Sequence, residues 1–277
     1  MTNKLMWKST INKPIQRSKL RKVLGKRYYI AKRWWKWQKE RHSFATHQQQ
    51  EALPYRVIEH QSTLLRKLKD VDMWMQHNKV ENLKLAIQPL TGLIIQPNET
   101  FSLWYLVGNP SKRRGFKLGM VLEQGKVTSG YGGGLCQLAN LLFWMVIHSP
   151  LTIKERWRHS FDVFPDVNRT IPFGCGATIA YNYIDLQVKN ETDQAFQLKL
   201  WLSDEKLHGQ LLSASPLSHA YQVYEAEHRI VGETWGGYTR HNLIHRKVTH
   251  LETGELIEDV PLVENHAIMM YNPLLSA

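Results

Sequence analysis

Cys136 is the residue whose type and setting most clearly indicate chemistry, and it stands in the segment Tyr-Gly-Gly-Gly-Leu-Cys-Gln at 131–137. Apolar residues follow it at helical spacing, so the pattern predicts that Cys136 lies in the first turn of a buried helix. The helix dipole and free N–H groups stabilise a thiolate at this position, so the thiol is expected to have a lowered pKa. The sequence therefore predicts a cysteine nucleophile suited to acyl transfer.

Attack of a thiolate on a carbonyl also requires donors for the oxyanion that forms. Gly132, Gly133 and Gly134 permit close approach of the backbone to a substrate, and their N–H groups are candidate oxyanion donors. Gln137, in the same element, is grouped with them as a candidate substrate-binding residue.

A cysteine nucleophile commonly works with a base and a third group that orients the base. His159, predicted on the strand after the helix, is the candidate base, and Asp185, predicted on the next strand, is the candidate orienter. This order of cysteine, histidine and aspartate is also that of transglutaminase-like and papain-like enzymes, although that is an analogy of order alone.

Each candidate also has a purely structural interpretation. Cys136 suits a small packed residue, His159 a surface histidine, and Asp185 the solvent-facing position of an amphipathic strand. Cys and His are not arranged at standard zinc spacing, so we expect no metal site, and we expect no cofactor. Two cysteines, Cys136 and Cys175, are too few for a disulfide-stapled secreted scaffold, although they could pair in principle.

The remaining patterns predict the elements that position these residues. Alternating residues predict strands at 151–164, 177–189 and 194–202, and strand-like patterns continue from 221 to 268. We therefore predict an α+β fold in which the cysteine-bearing helix packs on an antiparallel sheet and is preceded by an N-terminal basic amphipathic helix.

The basic charge of the chain is concentrated at one end. Residues 1–41 hold 14 of the 36 Lys and Arg residues but only one of the 24 acidic residues. Apolar residues at helical spacing over 17–41 favour either attachment to an anionic membrane surface or packing on the main domain, and both interpretations remain open. Nucleic-acid binding ranks behind them. A polar break at 48–51 predicts a division into an N-terminal segment, 1–50, and a main domain, 51–277, with a β-rich C-terminal extension.

The hydropathy pattern limits the expected location. The longest mostly apolar run, 138–147, is shorter than the roughly 20 residues that span a bilayer, so we expect no transmembrane helix. The basic start lacks the apolar core of a signal peptide. We expect a cytoplasmic protein or one bound peripherally to the inner face of the membrane.

Several motifs together resemble the VanW family over roughly residues 53–210. They are Asn78 to Ala86, Pro97-Asn98-Glu99-Thr100-Phe101-Ser102, Gly-Gly-Gly-Leu-Cys-Gln at 132–137, Glu155-Arg156 with His159-Ser160, and Ala177-Thr178 through Tyr183-Ile184-Asp185-Leu186 to Asn190.

The resemblance implies L,D-transpeptidation, a cysteine acyl transfer, with Cys136 as nucleophile and His159 as its partner. The implied partner is a peptidoglycan stem peptide or a lipid-linked precursor. The competing interpretation is a non-catalytic VanW module that binds such a precursor or an envelope protein. This chain has Gly176 where the family commonly has Asp before Ala-Thr, which puts in doubt an orienting acid at that position.

Overall fold

The computed structural model describes residues 18–66, 71–123, 125–165 and 171–274. Residues 1–17 of the predicted N-terminal segment lie outside that range. The described helices are α1 (Lys19–Lys39), α2 (Met73–Ile87), α3 (Leu103–Val107) and α4 (Cys136–Ile147). The described strands are β1 (Tyr55–Thr63), β2 (Ile94–Ile95), β3 (Thr100–Ser102), β4 (Leu118–Glu123), β5 (Lys126–Tyr131), β6 (Thr152–Glu155), β7 (Phe161–Asp162), β8 (Gln187–Lys189), β9 (Phe196–Leu202), β10 (Lys206–Ser213), β11 (His219–Gly232), β12 (Tyr238–His250) and β13 (Leu256–Met269).

The predicted α+β class is confirmed. α4 packs on an antiparallel sheet of order β1-β10-β9-β2, and most of its side chains are buried. Gly209 of β10 makes this close packing feasible, because a Cβ there would lie 2.5 Å from Leu141 Cδ2 of the helix. A row of apolar residues on α4 therefore fixes the helix to the sheet, and Cys136 with it.

Three further sheets complete the described part of the body. β3, β8 and β6 form one antiparallel sheet, β4 and β5 form a hairpin, and β11, β12 and β13 form a long antiparallel sheet joined in parallel by β7. A turn around residues 252–254 joins β12 to β13 in a hairpin. The predicted strand 194–202 corresponds to β9.

Two predicted strands are much shorter than expected. Of 151–164 only β6 and β7 are regular, and His159 lies on the irregular segment between them. Of 177–189 only β8 is regular, and Asp185 precedes it. These two positions of the candidate site are therefore held by side-chain contacts and isolated bridges, such as that between Trp157 and Thr178, rather than by a continuous ladder.

The N-terminal segment joins the main body before residue 50. Trp37 is buried in the core, Phe44 pairs with Thr100, and Gln48 pairs with Leu93. Residues 37–49 thus contribute to the core of the body. The division of the chain at residue 50 stays a prediction. The contacts of residues 37–49 with the body argue against a separately folded N-terminal unit.

Candidate functional site around Cys136

Cys136 is the first residue of α4, directly after the glycine-rich loop 132–134. Burial raises the pKa of its thiol, while hydrogen bonds from the backbone N–H groups of Ile179 and of Cys136 itself lower it by less. The predicted lowered pKa is therefore wrong in direction, because desolvation of the thiolate outweighs the stabilisation at the helix start. The thiol needs a proton acceptor to become a nucleophile at neutral pH.

The glycine-rich loop 132–134 packs closely against β4. Gly132 and Gly134 have φ angles of 74° and 90°, and a Cβ on Gly133 would lie 2.1 Å from the carbonyl carbon and oxygen of Gly119 in β4. The N–H groups of Gly132, Gly133 and Gly134 donate to the carbonyls of Lys117, Gly130 and Met120. The expected role of these three N–H groups as oxyanion donors is therefore wrong for this state, since each already has a backbone partner.

Gln137 ties the start of α4 to the sheet. Its Nε2 donates to Ser62 Oγ and to the Thr63 carbonyl, both at 2.9 Å, at the end of β1. This amide group therefore holds the helix in place, and its expected role in substrate binding stays a prediction.

Asp185 does not orient His159. Its carboxylate is fully buried and accepts hydrogen bonds from Ser102 Oγ at 2.5 Å, from Gln187 Nε2 at 3.1 Å and from the N–H groups of Trp104 and Leu186 at 3.1 and 2.9 Å. Burial raises its pKa to about 6, partly offset by these hydrogen bonds. Both oxygens serve to join β3 and α3 to β8, so the predicted triad is not assembled.

The side chain of His159 is only partly exposed. The pKa of its imidazole is lowered, mainly by this partial burial and secondly by the positive charge of Arg156. Within the described parts of the chain, its ring makes no hydrogen bond with Cys136. A lowered pKa keeps the imidazole neutral at neutral pH and therefore able to accept a proton.

Arg156 packs on the side of α4 that carries Cys136. Its guanidinium lies 4.8 Å from the ring centroid of Phe143 and donates to the carbonyls of Gly174 and Gly176. Phe143 is seven residues after Cys136 and therefore lies on the same side of the helix. Arg156, whose charge acts on the imidazole of His159, thus covers part of the helix face that carries Cys136.

Asn140 joins the same face to the segment 174–180. One turn after Cys136, its Oδ1 accepts the N–H of Ala177 at 2.8 Å, and a Cβ on Gly176 would lie 2.4 Å from that oxygen. The aspartate that the family commonly carries at position 176 therefore does not fit here with Asn140 in its present place. Gly176 and Asn140 act together to seat the loop on the helix.

Cys175 is buried beside the same loop and forms no disulfide bond with Cys136. Cys175 interacts electrostatically with Arg156. Burial lowers the pKa of the Arg156 guanidinium to about 10, and Cys175 opposes this shift.

Three residues that organise this region were not predicted from the sequence. Arg156 and Asn140 organise the helix face, and Lys79 packs its side chain across Gly134. Lys79 is buried, donates to Gln76 Oε1 at 2.7 Å, and has a pKa lowered to about 8, first by burial and then by Arg66. Asn140 had a visible signal, since it interrupts an apolar run. Lys79 had none, because one lysine on a helix looks like a solvated residue.

The fold and the site define a class: an α+β protein with a free cysteine at the glycine-rich start of a buried helix. Residues 78–212 match the family model described as "VanW like protein". The chain is 39% identical over 222 residues to the "Vancomycin B-type resistance protein VanW" of Enterococcus faecalis, and the aligned residues make up 80% of each of the two chains. It belongs to the VanW family.

A second relative covers less of the chain. The "Uncharacterized protein YoaR" of Bacillus subtilis is 28% identical over 122 residues, 44% of this chain and 39% of its own length. No solved structure matches the chain.

Proposed function

We propose that this protein is a cell-envelope cysteine acyltransferase of the L,D-transpeptidase type, acting on a peptidoglycan stem peptide or a lipid-linked precursor. The observation that carries the proposal is the position of Cys136 at the start of a buried helix, on the side of α4 where Arg156 packs over Phe143. The Enterococcus faecalis relative is named as a vancomycin resistance protein, which supports a link to the cell envelope.

The protonation states of Cys136 and His159 suit the first step of acyl transfer, in which the thiol loses its proton. Burial holds the thiol of Cys136 protonated and the imidazole of His159 neutral, so the imidazole can take the thiol proton. The sulfur then attacks the carbonyl carbon of the donor amide, and the C–N bond breaks as the imidazolium returns the proton to the leaving amine. An acceptor amine next attacks the thioester carbonyl and loses a proton to His159; the C–S bond breaks, and the imidazolium returns this proton to the departing sulfur of Cys136.

The oxyanion needs donors other than the glycine N–H groups. The backbone N–H groups of Cys136 and Ile179 already point to the sulfur. In the proposed reaction they donate to the carbonyl oxygen of the bound substrate. His159 reaches the thiol once substrate is bound, since contacts between catalytic groups commonly tighten on binding.

A non-catalytic VanW module is the second candidate. The structure supports it in one respect: Asp185, His159 and Cys136 do not form a connected set among the described residues. In this alternative the same helix face binds the stem peptide or an envelope protein without forming a thioester.

The two candidates differ in whether a covalent adduct forms. We expect mass spectrometry to find a stem-peptide acyl group on the wild type and on Cys175→Ala, and none on Cys136→Ala. His159→Gln should slow adduct formation by about 100-fold or more. Circular dichroism of each variant checks that it is folded.

Peptide binding without an adduct on the wild type would establish the binding module and contradict the acyltransferase. An adduct that persists in Cys136→Ala would show that another group is the nucleophile.

We place the protein in the cytoplasm or peripherally on the inner face of the membrane, where a lipid-linked precursor would be its substrate. Among the described residues, no helix combines the length and apolar character that a membrane crossing requires. Fractionation of cells into membrane and supernatant, with a salt wash of the membranes, tests the location. Release by salt is expected of a peripheral protein, whereas resistance to salt contradicts this placement.

A further inference from the structure

α1 contacts the body of the protein through one side. Tyr29 stacks on Tyr183 at 6.3 Å between ring centroids, Arg33 Nη2 lies 2.6 Å from Glu155 Oε1, and Trp37 is buried against Tyr105. Residues 29, 33 and 37 are four apart and therefore share one side of the helix. The ion pair of Arg33 is largely buried, with 10% and 16% of the two side chains exposed, and it fixes the orientation of the helix about its axis.

The opposite side of α1 carries large apolar residues that the body leaves uncovered. With 100° between successive residues, Leu24 and Trp35 lie about half a turn away from the side that holds residues 29, 33 and 37, and the others lie between about a quarter and half a turn away. Leu20 is 69% exposed and Trp35 is 70% exposed. This apolar stripe consists of Leu20, Val23, Leu24, Tyr28, Trp34 and Trp35. An amphipathic helix usually packs its apolar side against the core of its own protein. In α1 this side is exposed, so the stripe is available to a partner.

The charge on α1 selects the kind of partner. Residues 19–39 include nine Lys or Arg residues and no acidic residue. Apart from Arg33 these cations are exposed. In projection down the helix axis, Arg27 lies within the apolar stripe, and its two edges carry Lys19, Arg21, Lys32 and Lys39. The remaining three, Lys22, Lys26 and Lys36, lie toward the side of residues 29, 33 and 37. A second copy of the chain would bring two such helices together and face like charges with like charges.

We propose that the apolar stripe of α1 docks the protein on the surface of an anionic lipid bilayer, with the helix axis parallel to the membrane plane. Trp and Tyr rings and Leu side chains enter the boundary between headgroups and acyl chains, while Lys and Arg contact lipid phosphates. The long sides of the helix thereby serve two partners at once: the body on one side and the bilayer on the other. This inference is independent of acyl transfer by Cys136.

Co-sedimentation of the full chain with vesicles tests the docking. Vesicles that contain phosphatidylglycerol mixed with phosphatidylcholine should bind the wild type at low salt and release it as salt rises, whereas phosphatidylcholine alone should bind it weakly. The double variant Leu24→Ser with Trp35→Ser should lower partitioning to the anionic vesicles by about tenfold or more.

The matched control removes the same two residue types elsewhere. Leu251 and Trp74 are also exposed, so Leu251→Ser with Trp74→Ser should bind as the wild type does. Equal binding by the stripe variant and the wild type would overturn the proposal, as would equal binding to both kinds of vesicle. If light scattering shows a wild-type dimer that the stripe variant converts to a monomer, and vesicles bind neither, then a second copy covers the stripe and the proposal is wrong.

Discussion

Burial sets the protonation of the two groups assigned to acyl transfer. It raises the pKa of the Cys136 thiol and lowers that of the His159 imidazole, because it disfavours the charged form of each. A helix start by itself favours thiolate, yet here the loss of solvent has the larger effect. Both groups are therefore uncharged in this state, and in the proposed reaction an ion pair forms only when the proton is transferred.

The buried carboxyl of Asp185 makes the stability of the fold depend on pH. Its pKa is raised from 3.8 to about 6, so the folded state binds the proton more tightly than the unfolded state. The carboxyl therefore stabilises the fold below its unfolded-state pKa, and this contribution is lost as the pH rises toward 6. The amide in the variant Asp185→Asn does not titrate, so the stability of the variant relative to wild type should rise by up to about 3 kcal/mol from pH 4 to pH 7, on top of a pH-independent cost of placing an amide among the hydrogen-bond donors.

Urea unfolding at a series of pH values measures this difference. Asp193 is exposed on the turn between β8 and β9, and Asp193→Asn is the control, expected to follow the wild type at each pH. A constant difference between wild type and Asp185→Asn from pH 4 to pH 7 would show that Asp185 does not titrate in this range.

At the scale of elements, the glycine-rich loop is a spacer between β4 and α4. A Cβ on Gly133 would lie 2.1 Å from backbone atoms of Gly119, and neither strand nor loop can yield by a rotamer change. Gly133→Ala is therefore expected to destabilise the fold by about 2 kcal/mol or more, and to move the start of α4 away from β4. Thermal unfolding measures the stability, and the alkylation rate of Cys136 reports the displacement of the helix start.

Gly25 provides the matched control for this substitution. It lies within α1, and a Cβ there would meet no atom within 4 Å. Gly25→Ala should leave stability unchanged or raise it by up to about 1 kcal/mol, because alanine favours helix. If Gly133→Ala proved as stable as Gly25→Ala, the close contact with β4 would not be a requirement of the fold.

At the scale of the whole molecule, the N-terminal segment and the body share a core. Trp37 is 6% exposed and packs with Tyr105, whereas its neighbour Trp35 is 70% exposed on the same helix. Trp37→Ala is therefore expected to lower the free energy of unfolding by about 3 kcal/mol. Trp35→Ala should change it by no more than about 0.5 kcal/mol.

Denaturant unfolding followed by both fluorescence and circular dichroism checks this contrast and the number of transitions. A single shared transition indicates one cooperative unit. A separate early transition for the N-terminal segment, left unchanged by Trp37→Ala, would instead support a boundary at residue 50.

The sequence by itself determined the elements whose signal is local. The apolar spacing after Cys136 predicted α4, the alternation at 194–202 predicted β9, and the basic apolar repeat over 17–41 predicted α1. Family membership was also readable, because the glycine, cysteine and glutamine of 132–137 follow one another along the chain. In each case, neighbouring residues are enough to specify the structure or the motif.

Only the tertiary structure decided which side chains meet. The sequence pattern cannot tell that Asp185 turns toward Ser102 and Trp104 instead of His159, that Asn140 and Arg156 hold the loop 174–177 on α4, or that the apolar side of α1 faces outward. Hydrogen bonds such as these join residues far apart in the chain, and burial, which reverses the expected pKa shift of Cys136, depends on everything packed around the thiol. Local spacing fixes the face on which a side chain emerges, while its partner and its solvation are set by distant segments that fold against it.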